Sequence, residues 1–189
     1  DDFRYGSNAD RTLDTLRTAG LTHGFGVEPL APFVFDGVRV SSTIVRERLE
    51  RGDFAGAARL LGRPYRMMGH VVHGRELGRT LGFPTANLRL MRRRPPLWGI
   101  LAVRIHGIGA GPLPGVASLG TRPTVHGVEP LLEAHVFDFS GDLYGRAIEV
   151  EFVAKLRDEV KFDSLDAMKV QMKVDAARAR DLLSKVNSG

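Results

Sequence analysis

The sequence predicts an α+β chain, with a helix-rich α/β segment to about Pro64 followed by an antiparallel β-barrel or sandwich and a covering helix. Three observations support this. From Tyr65 onward, short β-branched or alternating segments follow one another with Gly, Pro or Asp between them and no helical pattern among them. Strands in series without intervening helices pair antiparallel, not as a parallel sheet. "AIEVEFV" alternates cleanly, with Ile148, Val150 and Phe152 on one face and Glu149 and Glu151 on the other. Near the end, apolar residues recur at helical spacing.

Taken in order, Asp10 to Ala19 carries Leu13 and Leu16 at helical spacing, with Gly20 as a stop. Gly24 to Val40 is rich in turn residues and holds short apolar runs, which suggests strands and a loop. "VSSTIVRERLERGD" opens on serines able to cap a helix and ends at Gly52. Asp53 caps a second short helix, "FAGAARLL", which Gly62 and Pro64 close. The strands follow as "MMGHVVHG", "ILAVRI", "GVASLG", "LLEAHVFDF" and "AIEVEFV", about five or six in all. The final helix begins near Asp163 or Ser164, and Leu165, Met168, Met172, Ala176, Ala179 and Leu183 form its buried stripe. Met168 and Met172 read as core packing rather than ligand contacts.

Composition narrows the function classes. The chain is 43% hydrophobic and 26% charged, ordinary for a globular protein. No apolar run approaches the roughly 20 residues of a membrane-spanning helix. The opening Asp1-Asp2 is no signal-peptide pattern, and a cytoplasmic location is expected. The absence of an initiator methionine suggests a piece of a longer chain. With zero cysteines, disulfides and thiolate metal sites are excluded. The net charge of +5 suits phosphate-bearing small molecules as well as nucleic acid. Arg92-Arg93-Arg94 lacks interleaved aromatic residues and reads as a solvated loop. Neither nucleic acid nor a membrane is the expected partner.

The stretch "GRTLGFPTAN", Gly78 to Asn87, is the first candidate for chemistry. Gly74, Gly78 and Gly82 punctuate a loop after a strand, and glycine lets backbone N–H groups approach an anion together. Arg79 adds a positive charge. Pro84 stiffens the chain and presents Thr85 and Asn87, two apart and on one face of a resumed strand. Their hard oxygen donors, with phosphates and water, suit the octahedral shell of Mg²⁺. A rigid turn whose Thr and Asn bond their own backbone fits the same pattern. A P-loop is excluded because G-x-x-x-x-G-K-[ST] does not occur. "GIGAG" at Gly107 precedes Pro112 and Pro114 where a dinucleotide-binding helix would start, so it reads as a hairpin connection.

Within "EPLLEAHVFDFSGDLYG", Glu133 shares a strand face with His135 and Phe137. In a half-apolar cleft its pKa would rise, fitting it to accept a proton from an alcohol. A solvated strand glutamate is the other reading. His70 and His73 are three apart on a strand, hence on opposite faces, which argues against a shared metal.

"GHVVHGRELGRTLGFPTANL", "GVASLGTRPTV", "LEAHVFDFSGDLYG" and "LRDEVKFDSLDAM" resemble, in that order, the riboflavin kinase module of bacterial bifunctional FAD synthetases. The resemblance runs from Tyr65 to about Leu183. It implies a six-stranded antiparallel Greek-key barrel with a C-terminal helix, which phosphorylates the ribityl 5′-hydroxyl of riboflavin with ATP and Mg²⁺ to give FMN and ADP. By position it implies Thr85 and Asn87 at Mg²⁺ and the ATP phosphates, Gly74 and Arg79 over the nucleotide, and Glu133 as base. Tyr144, Arg157 and Phe162 match flavin-lining positions.

"DDFRYG", "VRVSSTIVRERLERGD" and "AARLLGRPY" resemble the second half of the same enzymes' FMN adenylyltransferase domain, a nucleotidyltransferase fold. Residues 1–64 are therefore expected to be a partial adenylyltransferase domain and 65–189 the kinase. Two departures stand out. The adenylyltransferase His-x-Gly-His motif does not occur, so Ser42, Thr43 and Arg46, which match its second nucleotide motif, are expected to be stranded, and the chain kinase-competent but adenylyltransferase-inactive. Ile100-Leu101 stands after Gly99 where relatives place an aromatic residue. A small-barrel nucleic-acid-binding module and a non-catalytic flavin carrier are the competing classes.

Overall fold

The computed structural model describes residues 3–74, 77–90, 95–124 and 127–186. The arginine run Arg92–Arg94 lies outside them. The described residues form two compact units that part between Val40 and Ser41.

The first unit holds helix α1 (Leu13–His23) and a two-stranded antiparallel hairpin, β1 (Val34–Phe35) and β2 (Val38–Arg39). Thr12 caps α1 through a reciprocal hydrogen-bond pair with Thr15. The expected stop at Gly20 is corrected. Gly20 lies buried inside the helix, and Gly24, at φ 75°, supplies the left-handed residue whose N–H bonds back to the Gly20 carbonyl at 2.8 Å.

The second unit begins with α2 (Ser42–Glu50) and α3 (Phe54–Leu61). Ser41 caps α2 by accepting from the Ile44 N–H. Asp53 caps α3 by accepting from the Gly56 N–H at 2.8 Å while its other oxygen pairs with Arg48 Nη1 at 2.5 Å. Phe54 of α3 stacks on Phe152, their ring centroids 6.3 Å apart. That contact places both helices in the same compact unit as the strands, although the sequence changes texture only at Tyr65.

Six strands close a barrel: β3 (Arg66–Val72), β4 (Ala86–Leu90), β5 (Gly99–His106), β6 (Leu113–Thr124), β7 (Gly127–Val136) and β8 (Ala147–Arg157). The order around it is β3-β4-β7-β6-β5-β8, every neighbour antiparallel. Strands β5, β6 and β7 form a meander, and β8 returns beside β5, which is the Greek-key order. Closure leaves the barrel no free edge among the described residues. The strand period of two sends alternate residues inward, where Leu101, Val103, Leu119, Leu132, Ile148 and Val150 are buried. Each such side chain contributes about 1.5–3 kcal/mol on leaving water.

The outward face is not uniformly wet. Glu151 is 6% exposed, and its carboxylate accepts from Arg66 Nε at 3.2 Å and Arg104 Nη1 at 3.3 Å, with His106 Nε2 2.8 Å away. A carboxylate so buried is tolerated only with partners of this kind.

Helix α5 (Leu165–Val186) starts as expected, Ser164 Oγ accepting from the Ala167 N–H. It covers the barrel from outside rather than plugging it. Ala179 and Leu183 pack with Ala102, Phe137 and Leu156 in a second core between helix and barrel wall. The expected stripe is corrected at its start, since Leu165 is 57% exposed and Met168 and Met172 are only part-buried. The contact with the wall is made by the C-terminal half of the helix, and the first turns overhang a cleft. Among the described residues no helix is long and apolar enough to cross a membrane.

The Gly56 N–H and the Arg48 guanidinium hold the Asp53 carboxyl below its ordinary pKa of 3.8. A carboxylate with a lowered folded pKa stabilises the fold above the unfolded value, and that contribution disappears as pH falls through the lowered one. Asp53→Ala is expected to reduce stability by about 0.5–2 kcal/mol at neutral pH. The part due to its charge should vanish in strong acid, as read by urea denaturation of both chains at pH 7 and near pH 2.

Candidate active site

One rung of the closed ladder organises the site. Cα pairing runs from Asn87 in β4 to Glu133 in β7, Ser118 in β6, Ile100 in β5 and Arg157 in β8. Residues paired across antiparallel strands point to the same side, and their neighbours Ala86, Ala134, Ala117 and Leu101 are buried inside. The rung therefore lies on the outer wall. Four of its five side chains, from Glu133 to Arg157, line a cleft of about 530 Å³ between that wall, the segment after β8 and the first turns of α5.

The far wall of the cleft is built around Arg157. Its Nε donates to Asp175 Oδ1 at 3.0 Å and its Nη2 to Oδ2 at 2.7 Å, a fork that ties β8 to α5. Asp175 is 5% exposed and also accepts from Gln171 Nε2 at 3.0 Å. The Arg157 guanidinium carbon lies 5.7 Å from the centre of the Phe162 ring. Phe162, Met168, Met172 and Ile100 complete an apolar lining. The expectation that Met168 and Met172 are core packing is corrected, because they face the cleft.

A second cleft, about 580 Å³, opens at the barrel end between β3, β4, β7 and the 139–144 turn. Arg79 and Tyr144 line it, and the Tyr144 ring stacks on His73 with centroids 3.8 Å apart. Thr85 lies on the lining of both clefts. Of the residues matching flavin-lining positions, Arg157 and Phe162 line the first cleft and Tyr144 the second.

The loop before β4 is partly helical, a single turn α4 (Leu77–Thr80) standing where an open glycine loop was expected. His135 Nδ1 lies 2.8 Å from the Pro84 carbonyl, which can only accept, so Nδ1 carries the proton and pins the loop to β7. The His135 ring meets Phe83 edge-on at 5.2 Å. Asn87, 5% exposed, is on neither lining, and its amide packs against the backbone at Gly74. A Cβ on Gly74 would fall 2.2–2.5 Å from that amide, so only glycine leaves room for it. Ser42, Thr43 and Arg46 lie exposed on α2 and line neither cleft.

Sequence reasoning thus reached Thr85, Glu133, Arg157 and Phe162 at the first cleft, and missed Ser118, Glu159 and Asp175, with Gln171 bonded to Asp175. For Asp175 a signal existed, an acidic residue falling on the buried stripe of an amphipathic helix. Ser118 and Glu159 carried none, since they meet only through folding.

A profile of the Flavokinase (riboflavin kinase) family matches residues 61–183. The bifunctional riboflavin kinase/FMN adenylyltransferase of Escherichia coli K12 is 48% identical over 181 residues, covering 96% of this chain and 58% of the relative. The protein of the same description from Pseudomonas fluorescens is 49% identical over 183 residues, with the same coverage. Less than two thirds of these relatives' length is thus spanned. A crystal structure from Streptococcus pneumoniae, described as a macrolide-efflux protein, superposes with a TM-score of 0.68 at 35% identity, covering 92% of this chain and 56% of that one.

Removing the Asp175 carboxylate leaves Arg157 without its fork. Asp175→Ala is expected to lower stability by about 1–3 kcal/mol in urea denaturation. Arg157→Lys should not preserve the contact, because an ammonium cannot make the paired bonds.

Proposed function

The chain belongs to the riboflavin kinase family, and from that premise we propose that it transfers the terminal phosphoryl group of ATP to the ribityl 5′-hydroxyl of riboflavin, giving FMN and ADP. One observation carries the reading: Thr85 is shared by two clefts of different character. The first, with its apolar and aromatic wall, suits a planar isoalloxazine. The second, with Arg79 on its lining, suits the nucleotide. Their junction at Thr85 is where a terminal phosphate meets a hydroxyl.

Glu133 takes the proton of the attacking hydroxyl as its oxygen bonds to the γ-phosphorus and the bond to the ADP oxygen breaks. Such transfers depend on placement and on neutralising charge, with little covalent work for the protein. Arg79 draws the triphosphate into the second cleft. Phe162, Met168 and Met172 exclude water from the ring, and the His135–Pro84 bond fixes the loop that carries Thr85.

Mg²⁺ fits the residues present. The Thr85 hydroxyl and the Asn87 amide oxygen are hard donors, and the glycine at 74 leaves the amide its space. Among the described residues no group of three acidic or histidine side chains gathers, so the rest of the shell would have to come from phosphates and water. When bound, the ion neutralises charge on the phosphate oxygens. On the same resemblance, residues 65–189 are assigned to the kinase. The segment through Pro64, with Ser42, Thr43 and Arg46, is assigned to the adenylyltransferase region named for the relatives.

Incubation with riboflavin, ATP and Mg²⁺ should yield FMN by chromatography, and failure to form it would defeat the reading. Riboflavin bound without turnover would mark a carrier, and steeply salt-dependent oligonucleotide binding a nucleic-acid module. Glu133→Ala is expected to slow turnover by about 10²–10⁴ while riboflavin still quenches on binding. Thr85→Val should weaken the apparent affinity for Mg·ATP more than that for riboflavin.

A further inference from the structure

The C-terminal half of α5 carries a side chain that lines neither cleft yet is linked by contacts to the segment before β4. Arg180 Nη1 and Nη2 donate to the two oxygens of Asp138 at 2.7 and 2.9 Å, and its guanidinium carbon lies 4.2 Å from the centre of the Phe137 ring. Phe137 is 3% exposed, just beyond the end of β7, and meets the His135 ring edge-on at 5.7 Å. His135 in turn stands edge-on to Phe83 at 5.2 Å, so its imidazole is held between two phenyl rings. Asp138, which anchors Arg180, has a left-handed backbone at φ 55°, uncommon outside glycine but tolerated by Asp.

The β4–β7 ladder reaches its final Cα pair at Ala86 and Ala134. Pro84 has no N–H with which to extend it. Thr85 thus lies just outside the ladder, and the 2.8 Å bond from His135 Nδ1 to the Pro84 carbonyl ties its neighbour to β7. That bond requires a fixed ring plane. Histidine χ2 has a broad distribution of its own, so the plane is set by what flanks the ring. Phe83 belongs to the same segment as Pro84 and moves with it. The fixed reference is therefore Phe137, which Arg180 covers.

We infer that Arg180 is a positioning residue for the phosphate end of the reaction, acting on Thr85 through Phe137, His135 and the Pro84 carbonyl. The inference rests on the kinase reading in placing the nucleotide beside Thr85. Glu133 and Asn87 pair within the ladder, so their placement does not depend on this relay, whereas that of Thr85 does. Exposure favours alignment over stability as the role of the outer pair. The Arg180 and Asp138 side chains are 48% and 77% exposed, and ion pairs so open to water contribute little to folding. The two-pronged geometry is nevertheless directional, and it fixes where the guanidinium sits over the ring.

Calorimetric titration with Mg·ATP tests the relay, with riboflavin as the internal comparison and thermal melts verifying that each variant folds. Arg180→Ala is expected to weaken Mg·ATP binding by about 2- to 10-fold, the loss of one hydrogen bond's net contribution, and riboflavin binding less. Arg180→Lys, which keeps a cation over Phe137 without the fork, should fall between. Asp53→Ala, which weakens the fold at the α3 cap, should leave Mg·ATP affinity unchanged and so separates alignment from stability. In a His135→Asn background an amide donor stands near the place of Nδ1 and no ring remains to be held, so Arg180→Ala should there cost nothing further. Unchanged Mg·ATP affinity in folded Arg180→Ala, an equal loss for both ligands, an equal loss in Asp53→Ala, or the same loss in both backgrounds overturns the relay. A chain that binds both ligands but forms no FMN defeats the kinase reading, and the affinities still decide the relay. A chain that binds no Mg·ATP overturns both.

Discussion

Closure of the antiparallel ladder is the constraint on which the rest depends. Once β8 pairs with both β3 and β5, no strand can slip by one residue without reversing every side chain between inside and outside. The inward set is apolar and buried, so the parity is enforced by burial all round the barrel. The outward set inherits its positions from that enforcement. Asn87, Glu133, Ser118, Ile100 and Arg157 come from five strands scattered over the chain, yet stand in one row because their inward neighbours cannot move.

Charge is then placed on this frame in two buried acids. Glu151 gathers Arg66, Arg104 and His106 on the face opposite the apolar interior, and Asp175 takes the fork of Arg157 beneath α5. Either acid alone would be costly so far from water. With guanidinium partners, each becomes a directional link between elements, β3 to β8 to β5 in one case and β8 to α5 in the other. A third link is more exposed. Arg180 donates to both oxygens of Asp138 at 2.7 and 2.9 Å, holds that carboxyl below its usual range, and lies over the Phe137 ring. Two of these links set the overhang of α5 and hence the width of the first cleft.

The two clefts divide the work the kinase reading requires. The apolar surface that suits a ring and the carboxylate of Glu133 stand on the first cleft, and Arg79 on the second, which opens at the barrel end. Thr85 belongs to both because the segment leading into β4 passes between them, and His135 holds that segment through the Pro84 carbonyl. Loops carry such positions well when a rigid element fixes them.

Much of this was legible in the residues alone. Period-two alternation marked the strands and their buried face, Ser41 and Asp53 announced the helices they cap, and the Gly-Phe-Pro-Thr-Ala-Asn segment with Glu133 drew attention to the site. These are local signals, spoken by neighbours in the chain. Helix and strand residues whose partners are distant were not legible: Met168 and Met172 looked like core, Leu165 looked buried, and nothing local pointed to Ser118 or Glu159. Local periodicity and cap chemistry determine which elements form and which way each faces, since they depend on a few adjacent residues. Which faces meet, and so which side chains share a cleft, was decided only by ladder register and by the docking of α5, because those depend on contacts between residues far apart in sequence.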